Sequence, residues 1–266
     1  MSKQENHSLR QAFDTDPAMY DKARRGYPTA LFQDILSYMG VSTLTNKDVL
    51  EIAPGTGQAT KDLLKTGAAL TAVELGKDLA SYLDAKYKDE DNLTVLNSAF
   101  EAVDLPSMAY DLIVCATAWH WLDEDMRFVK AANLLKEKSI LAIISTNQVS
   151  SDTDKGFFKE VDALYEQFGT RRKTILPDKE QIKGDLTDMQ TSSLFDETKV
   201  YKYDWNQDYS TEQYLDLIQS YSGTIAMQPN ERTQFLQAIQ ELIDTRFNGA
   251  VTRPLVIALT IGKECK

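Results

Sequence analysis

Two glycines and two acids near the start of the chain have the spacing of a ligand-binding loop. In the stretch VLEIAPGTGQAT a hydrophobic run ends at Glu51, and Gly55 and Gly57 follow just before a helix-like segment. Glycines let a ligand approach the backbone, and the amides at a helix start can bind an anion or a carboxylate. Glu74 ends the next strand-like run, 17 residues after Gly57, from where an acid can accept hydrogen bonds from both ribose hydroxyls. The pattern predicts a ligand that contains a nucleoside.

Several kinds of loop begin this way, and the residues after the glycines help to separate them. A P-loop requires Lys followed by Ser or Thr after its last glycine, but Gln58 and Ala59 stand there, so this interpretation is excluded. A dinucleotide loop would place its third small residue at Thr60, which weakens that interpretation without excluding it. A glycine pair after a strand also occurs as a simple tight turn, an interpretation that Glu74 disfavours.

The elements that must position this loop alternate between strand-like and helix-like segments. Between residues 48 and 146 the strand-like runs cover 49–53, 70–75, 93–96, 111–116 and 140–145, and helix-like runs cover 57–66, 77–87 and 124–136. This alternation predicts an α/β fold with an open, mostly parallel sheet and helices on both faces. Ligands of such sheets bind at the carboxyl ends of the strands, which is where the glycine loop lies.

The remaining segments predict a cap and a lid around this sheet. Apolar residues at helical spacing before Gly40 indicate an N-terminal helix, and residues 200–205 and 255–261 resemble two further strands. We expect a single domain over residues 1–266, with an N-terminal helical cap (1–46), a ligand-binding core (47–150), a helical lid with a sheet strand near 200–205 (151–250) and a last strand (251–266). The last strand is expected to be antiparallel.

Composition excludes some classes of function. The chain of 266 residues carries a net charge of −11, so it would repel a polyanion, and we expect no nucleic-acid partner. It has no apolar run near the roughly 18 residues of a membrane span, and its polar start lacks a secretory signal, so we expect no membrane partner and a cytoplasmic location. Cys115 and Cys265 are far apart in sequence, which argues against a disulfide framework and a metal site.

Motifs beyond the loop give the sequence a family resemblance. Tyr20, Arg24 and Tyr27-Pro28, together with Phe13-Asp14, form an N-terminal signature, and YDLI at 110–113 precedes AWHWLD at 118–123. With the loop, these segments resemble class I S-adenosylmethionine-dependent methyltransferases, specifically the small-molecule branch that includes trans-aconitate methyltransferase-like proteins. Tyr221-Ser222 and Thr252-Arg253-Pro254 near the end also resemble that branch.

The sequence departs from the family pattern at identifiable positions. The family loop is acid-x-Gly-x-Gly-x-Gly, and Ala53 stands at its first glycine, followed by Pro54. Arg25 stands where the pattern usually has proline, and Glu137-Lys138 replace a glycine pair. Because alanine lacks the backbone freedom of glycine, the loop geometry is the point at which this chain is expected to differ most.

The resemblance implies a fold, a cofactor and a set of site residues. The implied fold is a doubly wound Rossmann-like methyltransferase sheet of about seven strands, mostly parallel with an antiparallel last strand, plus the helical cap and lid. The implied cofactor is S-adenosyl-L-methionine, and the partner is a small-molecule acceptor for which the trans-aconitate comparison suggests a carboxylate. The residues implied to hold the cofactor are Tyr20, Arg24, Glu51, Ala53, Gly55, Gly57, Glu74, Ser98, Ala99, Phe100, Thr117 and Trp119.

The acceptor side of the site offers fewer signals. His120 could act as a general base near neutral pH, or it could be a spacer in an aromatic wall with Trp119 and Trp121 that shapes the pocket. Trp121 is expected to contact the acceptor. Arg171 and Arg172 could attract an acceptor carboxylate, or belong to a solvated surface. Two other functions remain open: a nicotinamide-dependent oxidoreductase, and a protein that binds the cofactor without catalysis.

Overall fold

The strands form one mixed sheet with a topological switch at its centre. The structure is a computed structural model that describes residues 16–169 and 176–265. Among these residues a seven-stranded sheet has the order β3-β2-β1-β4-β5-β7-β6. Its strands are β1 (Asp48–Ile52), β2 (Ala69–Glu74), β3 (Leu93–Asn97), β4 (Tyr110–Ala116), β5 (Leu135–Gln148), β6 (Phe195–Ser210) and β7 (Ala250–Glu264). The chain order reverses between β1 and β4, so a ligand crevice is expected at the carboxyl ends of these two strands.

The last strand runs against all the others, as the sequence predicted. β1 pairs in parallel with β2 and β4, β2 with β3, and β4 with β5. β7 pairs antiparallel with both β5 and β6, so it lies inside the sheet and β6 forms the edge. This arrangement brings the first residues of β7 to the same end of the sheet as the carboxyl ends of the parallel strands.

Helices cover both faces of the sheet and extend beyond one end of it. They are α1 (Pro17–Ala23), α2 (Thr29–Met39), α3 (Thr60–Lys65), α4 (Lys77–Lys86), α5 (Arg127–Leu134), α6 (Phe157–Gln167), α7 (Leu186–Thr191), α8 (Thr211–Gln219), α9 (Ser222–Ile225) and α10 (Pro229–Arg246). Gly40 ends α2 with φ 70°, a left-handed conformation that glycine adopts without strain, as its position predicted. None of the described helices combines the length and the apolar character that crossing a membrane requires.

The apolar side chains divide into separate clusters. One face of the sheet packs against α2, where Leu31 and Ile35 are buried together with strand residues such as Val49 and Leu112. The opposite face packs against α5. The side chains of Tyr201, Tyr203 and Trp205 pack against the α2-side cluster, which confirms their interpretation as sheet packing.

A further core holds the lid helices together. Helices α6, α8 and α10 bury Phe157, Leu217 and Phe235 against each other and against Tyr209 of β6. Helix α8 begins with a capping box in which the Ser210 hydroxyl accepts from the backbone of residue 213. Because β6 enters this core at its last residues, the lid is anchored to the sheet at the end where the crevice opens.

Candidate active site

A cavity of about 390 Å³ lies at the carboxyl ends of β1 and β4, under α1 and the end of α8. This volume falls in the range typical of small-molecule sites. The sequence-predicted residues that line it are Tyr20, Arg24, Glu51, Ala53, Gly55, Glu74, Thr117, His120 and Trp121. Residues for which the sequence predicted no role also line it, among them Gln58, Leu75, Leu79, Gln207, Tyr209 and Leu255. The fold therefore gathers one site from the cap, the core and the lid.

The glycine loop is held in a run of left-handed conformations. Ala53, Gly55 and Gly57 have φ values of 53°, 59° and 92°. The backbone N–H of Gly55 donates to Glu74 Oε2 at 3.0 Å. A Cβ added at Gly55 would lie 3.8 Å from the Tyr20 ring, which is an ordinary van der Waals contact. The chain thus keeps the backbone geometry of a glycine at position 53, although alanine stands there.

Replacing Ala53 with glycine is expected to stabilise the protein. An L-residue in the left-handed region costs about 1–2 kcal/mol, and glycine does not incur this strain. After the larger backbone entropy of glycine in the unfolded chain is subtracted, we expect about 1 kcal/mol of added stability and a melting temperature higher by roughly 2–4 °C. Ala80→Gly, in the interior of α4, is the control and should lower the melting temperature. A decrease for Ala53→Gly that matches the control would contradict the strain argument.

Gly57 serves packing rather than ligand approach. Gly57 is buried and does not line the cavity. An added Cβ would lie 2.8 Å from both Leu83 Cδ1 and Tyr87 Cε2, closer than real Cβ contacts allow. Since α4 and the turn after it press on the loop here, only glycine fits. The expected approach of a ligand to the backbone therefore applies to Gly55 and not to Gly57.

Glu74 is fixed by two backbone amides. Its Oε2 accepts from Gly55 N at 3.0 Å, and its Oε1 accepts from Gly76 N at 2.9 Å. The side chain is buried at the end of β2 and lines the cavity. The two amides orient the carboxylate of Glu74 at the cavity wall, where carboxylate oxygens can accept hydrogen bonds from hydroxyl groups. The geometry suits a ribose.

Glu51 presents an oxygen that has no partner among the described residues. Its Oε2 accepts from the Thr60 hydroxyl at 2.6 Å, whereas Oε1 is buried without a hydrogen bond. Burial, reinforced by the nearby charge of Glu74, raises the pKa of Glu51 to about 7 even though the Thr60 hydrogen bond opposes the shift. A buried acceptor of this kind needs a ligand donor. The pair also explains why Thr60 stands where a dinucleotide loop has a small residue.

The cap helix is tied to the loop through Asp21. The carboxylate of Asp21 accepts from Lys86 Nζ at 2.8 Å, from the Tyr82 hydroxyl at 3.0 Å and from Gln58 Nε2 at 3.2 Å. Lys86 also donates to the carbonyl oxygen of Thr56 at 2.9 Å. These contacts connect α1, α4 and the glycine loop, so they position the cap over the cavity.

Arg24 crosses the cavity between two aromatic rings. Its guanidinium carbon lies 4.9 Å from the ring centroid of Tyr20 and 5.2 Å from that of Tyr221. Its Nε donates to Ser220 Oγ at 3.2 Å. Cation–π contacts with the two rings help to hold the guanidinium at the cavity wall. Tyr20 and Arg24 therefore act as one unit that joins the cap to the end of α8.

The residues after β4 separate into a cavity wall and a core anchor. His120 and Trp121 line the cavity, with ring centroids 5.0 Å apart. Partial burial and the charge of Arg127 lower the pKa of His120, so its imidazole is neutral at pH 7. Trp119 differs from the expectation: it is 2% exposed, packs against Phe128 and does not line this cavity. Its large apolar ring is more stable in the core than at the site.

Thr117 connects the cap to two strands. Its hydroxyl lies 2.9 Å from the Tyr27 hydroxyl and 3.2 Å from Thr146 Oγ1. Its φ of 58° is unusual for a β-branched residue, and such strain is often found at functional sites. Thr117 also lines the cavity, and the resemblance implied a cofactor contact at this residue.

Ser98, Ala99 and Phe100, which the resemblance implied to hold the cofactor, lie beside the cavity and not in its wall. Ser98 N donates to the backbone oxygen of Glu74 at 2.9 Å, and Phe100 is buried in the core on the α5 side. Ser98 and Ala99 are half-buried and, like Phe100, do not line the cavity. Leu75 and Leu79 provide the apolar surface there instead. The predicted acceptor residues Arg171 and Arg172 lie outside the residues that the structure describes.

The fold and the site together define an α/β protein with a ligand-sized cavity at a topological switch point. Residues 50–143 match a family model described as a methyltransferase domain. An uncharacterized methyltransferase of Mycobacterium tuberculosis is 22% identical over 236 residues, which cover 88% of this chain and 86% of the relative. These findings support an S-adenosylmethionine-dependent methyltransferase whose methyltransferase domain includes residues 50–143.

Solved structures share the fold at low sequence identity. A protein from Anaeromyxobacter dehalogenans assigned as a type II methyltransferase has a TM-score of 0.58 and 18% identity, covering 91% of this chain and 97% of that one. Phosphoethanolamine N-methyltransferase 2 of Haemonchus contortus, solved with phosphomonomethylethanolamine and S-adenosylhomocysteine, has a TM-score of 0.57 and 12% identity. This chain is covered completely in that comparison, which extends over 61% of the Haemonchus chain.

Proposed function

We propose that this methyltransferase acts on a small molecule that carries an anionic group, with a carboxylate as the leading candidate, as in the trans-aconitate methyltransferase-like branch. The observation that carries the proposal is a cavity whose wall contains two acids, Glu51 and Glu74, together with the arginines Arg24, Arg25 and Arg253. The cavity volume of about 390 Å³ suits a small molecule beside part of the donor.

The residues around Glu51 and Glu74 fit S-adenosylmethionine. We propose that the unpartnered Oε1 of Glu51 accepts from the ammonium group and that Glu74 accepts from the ribose hydroxyls. Gly55 leaves room for the ligand at the loop, while Leu75 and Leu79 offer an apolar surface for the adenine. The Haemonchus enzyme of the same fold binds S-adenosylhomocysteine, which supports this assignment.

The protein's contribution to the reaction is placement. When bound, the donor supplies a methyl group on a positively charged sulfur. Holding acceptor and donor in line within a closed cavity lowers the barrier mainly through proximity and orientation. The Asp21 network fixes the cap helix α1 beside the site through contacts with α4. The neutral imidazole of His120, beside Trp121, accepts a hydrogen bond or a proton from the attacking group of the acceptor.

Ligand-dependent melting tests the donor assignment first. S-adenosylmethionine and S-adenosylhomocysteine should each raise the melting temperature, because a ligand that binds only the folded state stabilises it by RT ln(1 + [L]/Kd). NAD should leave it unchanged. A shift with NAD alone would favour the oxidoreductase instead. Incubation with methyl-labelled donor and a small-metabolite extract should then label a product of low mass, and an absence of labelled product would favour a protein that binds the donor without catalysis.

A further inference from the structure

Three arginines line the cavity that also contains Glu51 and Glu74. Arg24, Arg25 and Arg253 all contribute to its wall. Within the described ranges, no carboxylate lies within 4.0 Å of the side-chain nitrogens of these arginines. The chain as a whole carries a net charge of −11, so the arginines form a local positive charge in a protein whose overall charge is negative. Three like charges around one cavity repel each other unless an anion joins them.

Arg253 is the most firmly held of the three. It lies in β7 directly opposite Gln207 of β6, and its Nη2 donates to Gln148 Oε1 at 3.2 Å. Its guanidinium is also hydrogen-bonded to the Tyr209 hydroxyl, which in turn donates to Gln207. These partners are neutral, so they orient the guanidinium without neutralising it. A guanidinium has five N–H donors, so two such contacts leave donors for a ligand.

The position of Arg253 separates it from the acids of the donor end. Glu51 and Glu74 end β1 and β2, whereas Arg253 begins β7, the third strand beyond β1 in the order β1-β4-β5-β7. Neighbouring strands lie about 4.8 Å apart, so the strands carrying Glu51 and Arg253 are roughly 14 Å apart across the sheet. His120 and Trp121 line the same cavity and belong to the segment that follows β4, between these strands.

Arg25 extends the cationic surface toward solvent. Its guanidinium carbon lies 5.7 Å from the Tyr209 ring centroid, and the side chain is exposed at the mouth of the cavity. Tyr209 therefore contacts Arg25 through its ring and Arg253 through its hydroxyl. An anion entering from solvent would meet Arg25 first and Arg253 at the end of the path.

We infer that Arg253 binds the anionic group of the methyl acceptor and that Arg25 is a second cation of the same subsite; this rests on the proposed function. Carboxylate and phosphate oxygens both match the planar fork of arginine, so the shared chemistry is a bidentate oxyanion. The inference gives Arg253 the role that sequence alone offered to Arg171 and Arg172. The acceptor's reacting atom would then lie between Arg253 and the two acids Glu51 and Glu74, near His120.

Calorimetry on the protein saturated with S-adenosylhomocysteine tests the subsite. The carboxylate probes are succinate, citrate and benzoate. The phosphate probes are inorganic phosphate and phosphoethanolamine. Succinamide and benzamide are the neutral analogues. We expect at least one anion to bind, its neutral analogue to bind at least about tenfold more weakly, and Arg253→Gln to lose at least about tenfold in anion affinity. Arg253→Lys should restore part of the loss because it keeps the charge but not the fork.

Separate outcomes identify which assignment fails. Arg232→Gln, on α10 and outside the cavity wall, should bind the anion like the wild type. Absence of binding by every anion, or wild-type anion affinity in Arg253→Gln, would overturn the subsite. An equal loss of S-adenosylhomocysteine affinity in Arg253→Gln would show that the residue serves the donor, which also overturns it. Failure of S-adenosylhomocysteine to bind the wild type would instead overturn the proposed function.

Discussion

Replacing Glu74 with alanine is expected to weaken the binding of S-adenosylmethionine by about 100-fold. Hydrogen bonds to a charged group contribute about 1.5–3 kcal/mol each, and the proposed ribose contact contains two of them. The substitution also removes the acceptor that holds Gly55 N at 3.0 Å, so the loop loses an anchor on the ligand side. Isothermal titration with the donor and with S-adenosylhomocysteine measures the effect directly.

Matched variants separate ligand contact from loss of structure. Glu74→Gln keeps the shape of the side chain and one acceptor oxygen, so its affinity should fall between those of the wild type and the alanine variant. Asp78→Asn removes a charge on the exposed start of α4, outside the cavity wall, and should bind the donor normally. Unchanged affinity in a folded Glu74→Ala protein would refute the ribose assignment.

The affinity for the donor is expected to fall about tenfold between pH 8 and pH 6. In the free protein the pKa of Glu51 is raised to about 7, so below pH 7 its carboxyl is increasingly protonated and no longer attracts an ammonium group. Because the bound ammonium favours the ionised form, binding is linked to loss of this proton. Titrations at half-unit steps from pH 5.5 to 8 would show the slope.

Glu51→Gln provides the control and an independent check of the direction of the pH dependence. The amide cannot titrate, so its donor affinity should be lower at pH 8 and nearly flat with pH. A carboxyl whose folded pKa is raised stabilises the fold at low pH and loses that contribution as pH rises from the unfolded value toward 7. Without ligand, Glu51→Gln should therefore melt at a higher temperature than the wild type at pH 8 but not at pH 5. A parallel pH slope in both proteins would assign the titration to another group.

The alternating core of the fold was predictable because its signals are local. The strand-like runs at 49–53 and 70–75 correspond to β1 and β2, since short apolar runs between polar turns identify buried parallel strands. Long strands were less well defined: β6 extends over Phe195–Ser210, whereas the sequence indicated only 200–205. Most of its outer residues, such as Asp196, Asn206 and Asp208, are polar, so their strand conformation depends on pairing with β7 and not on a hydrophobic pattern.

The loop shows how far local chemistry determines a site. Gly55 and Glu74 meet as the sequence predicted, because parallel neighbouring strands bring their carboxyl ends together. Gly57 took a different role because its neighbours Leu83 and Tyr87 come from α4 and the turn after it, and no spacing near the loop reveals these contacts. Ala53 retains the left-handed backbone of a glycine, a strain that the surrounding structure imposes.

Residue patterns along the chain were sufficient to predict the class of the fold, the glycine loop and the acid Glu74, because these depend on residues close together in the chain or on adjacent strands. The position of Arg253 beside Gln207 and near Arg25 depends instead on long-range packing, since β7 reverses direction and inserts between β5 and β6. That insertion brings Arg253, which follows Glu51 by 202 residues, to the same cavity. Contacts over such separations are selected by the packing of the whole sheet, so short-range sequence patterns cannot predict them.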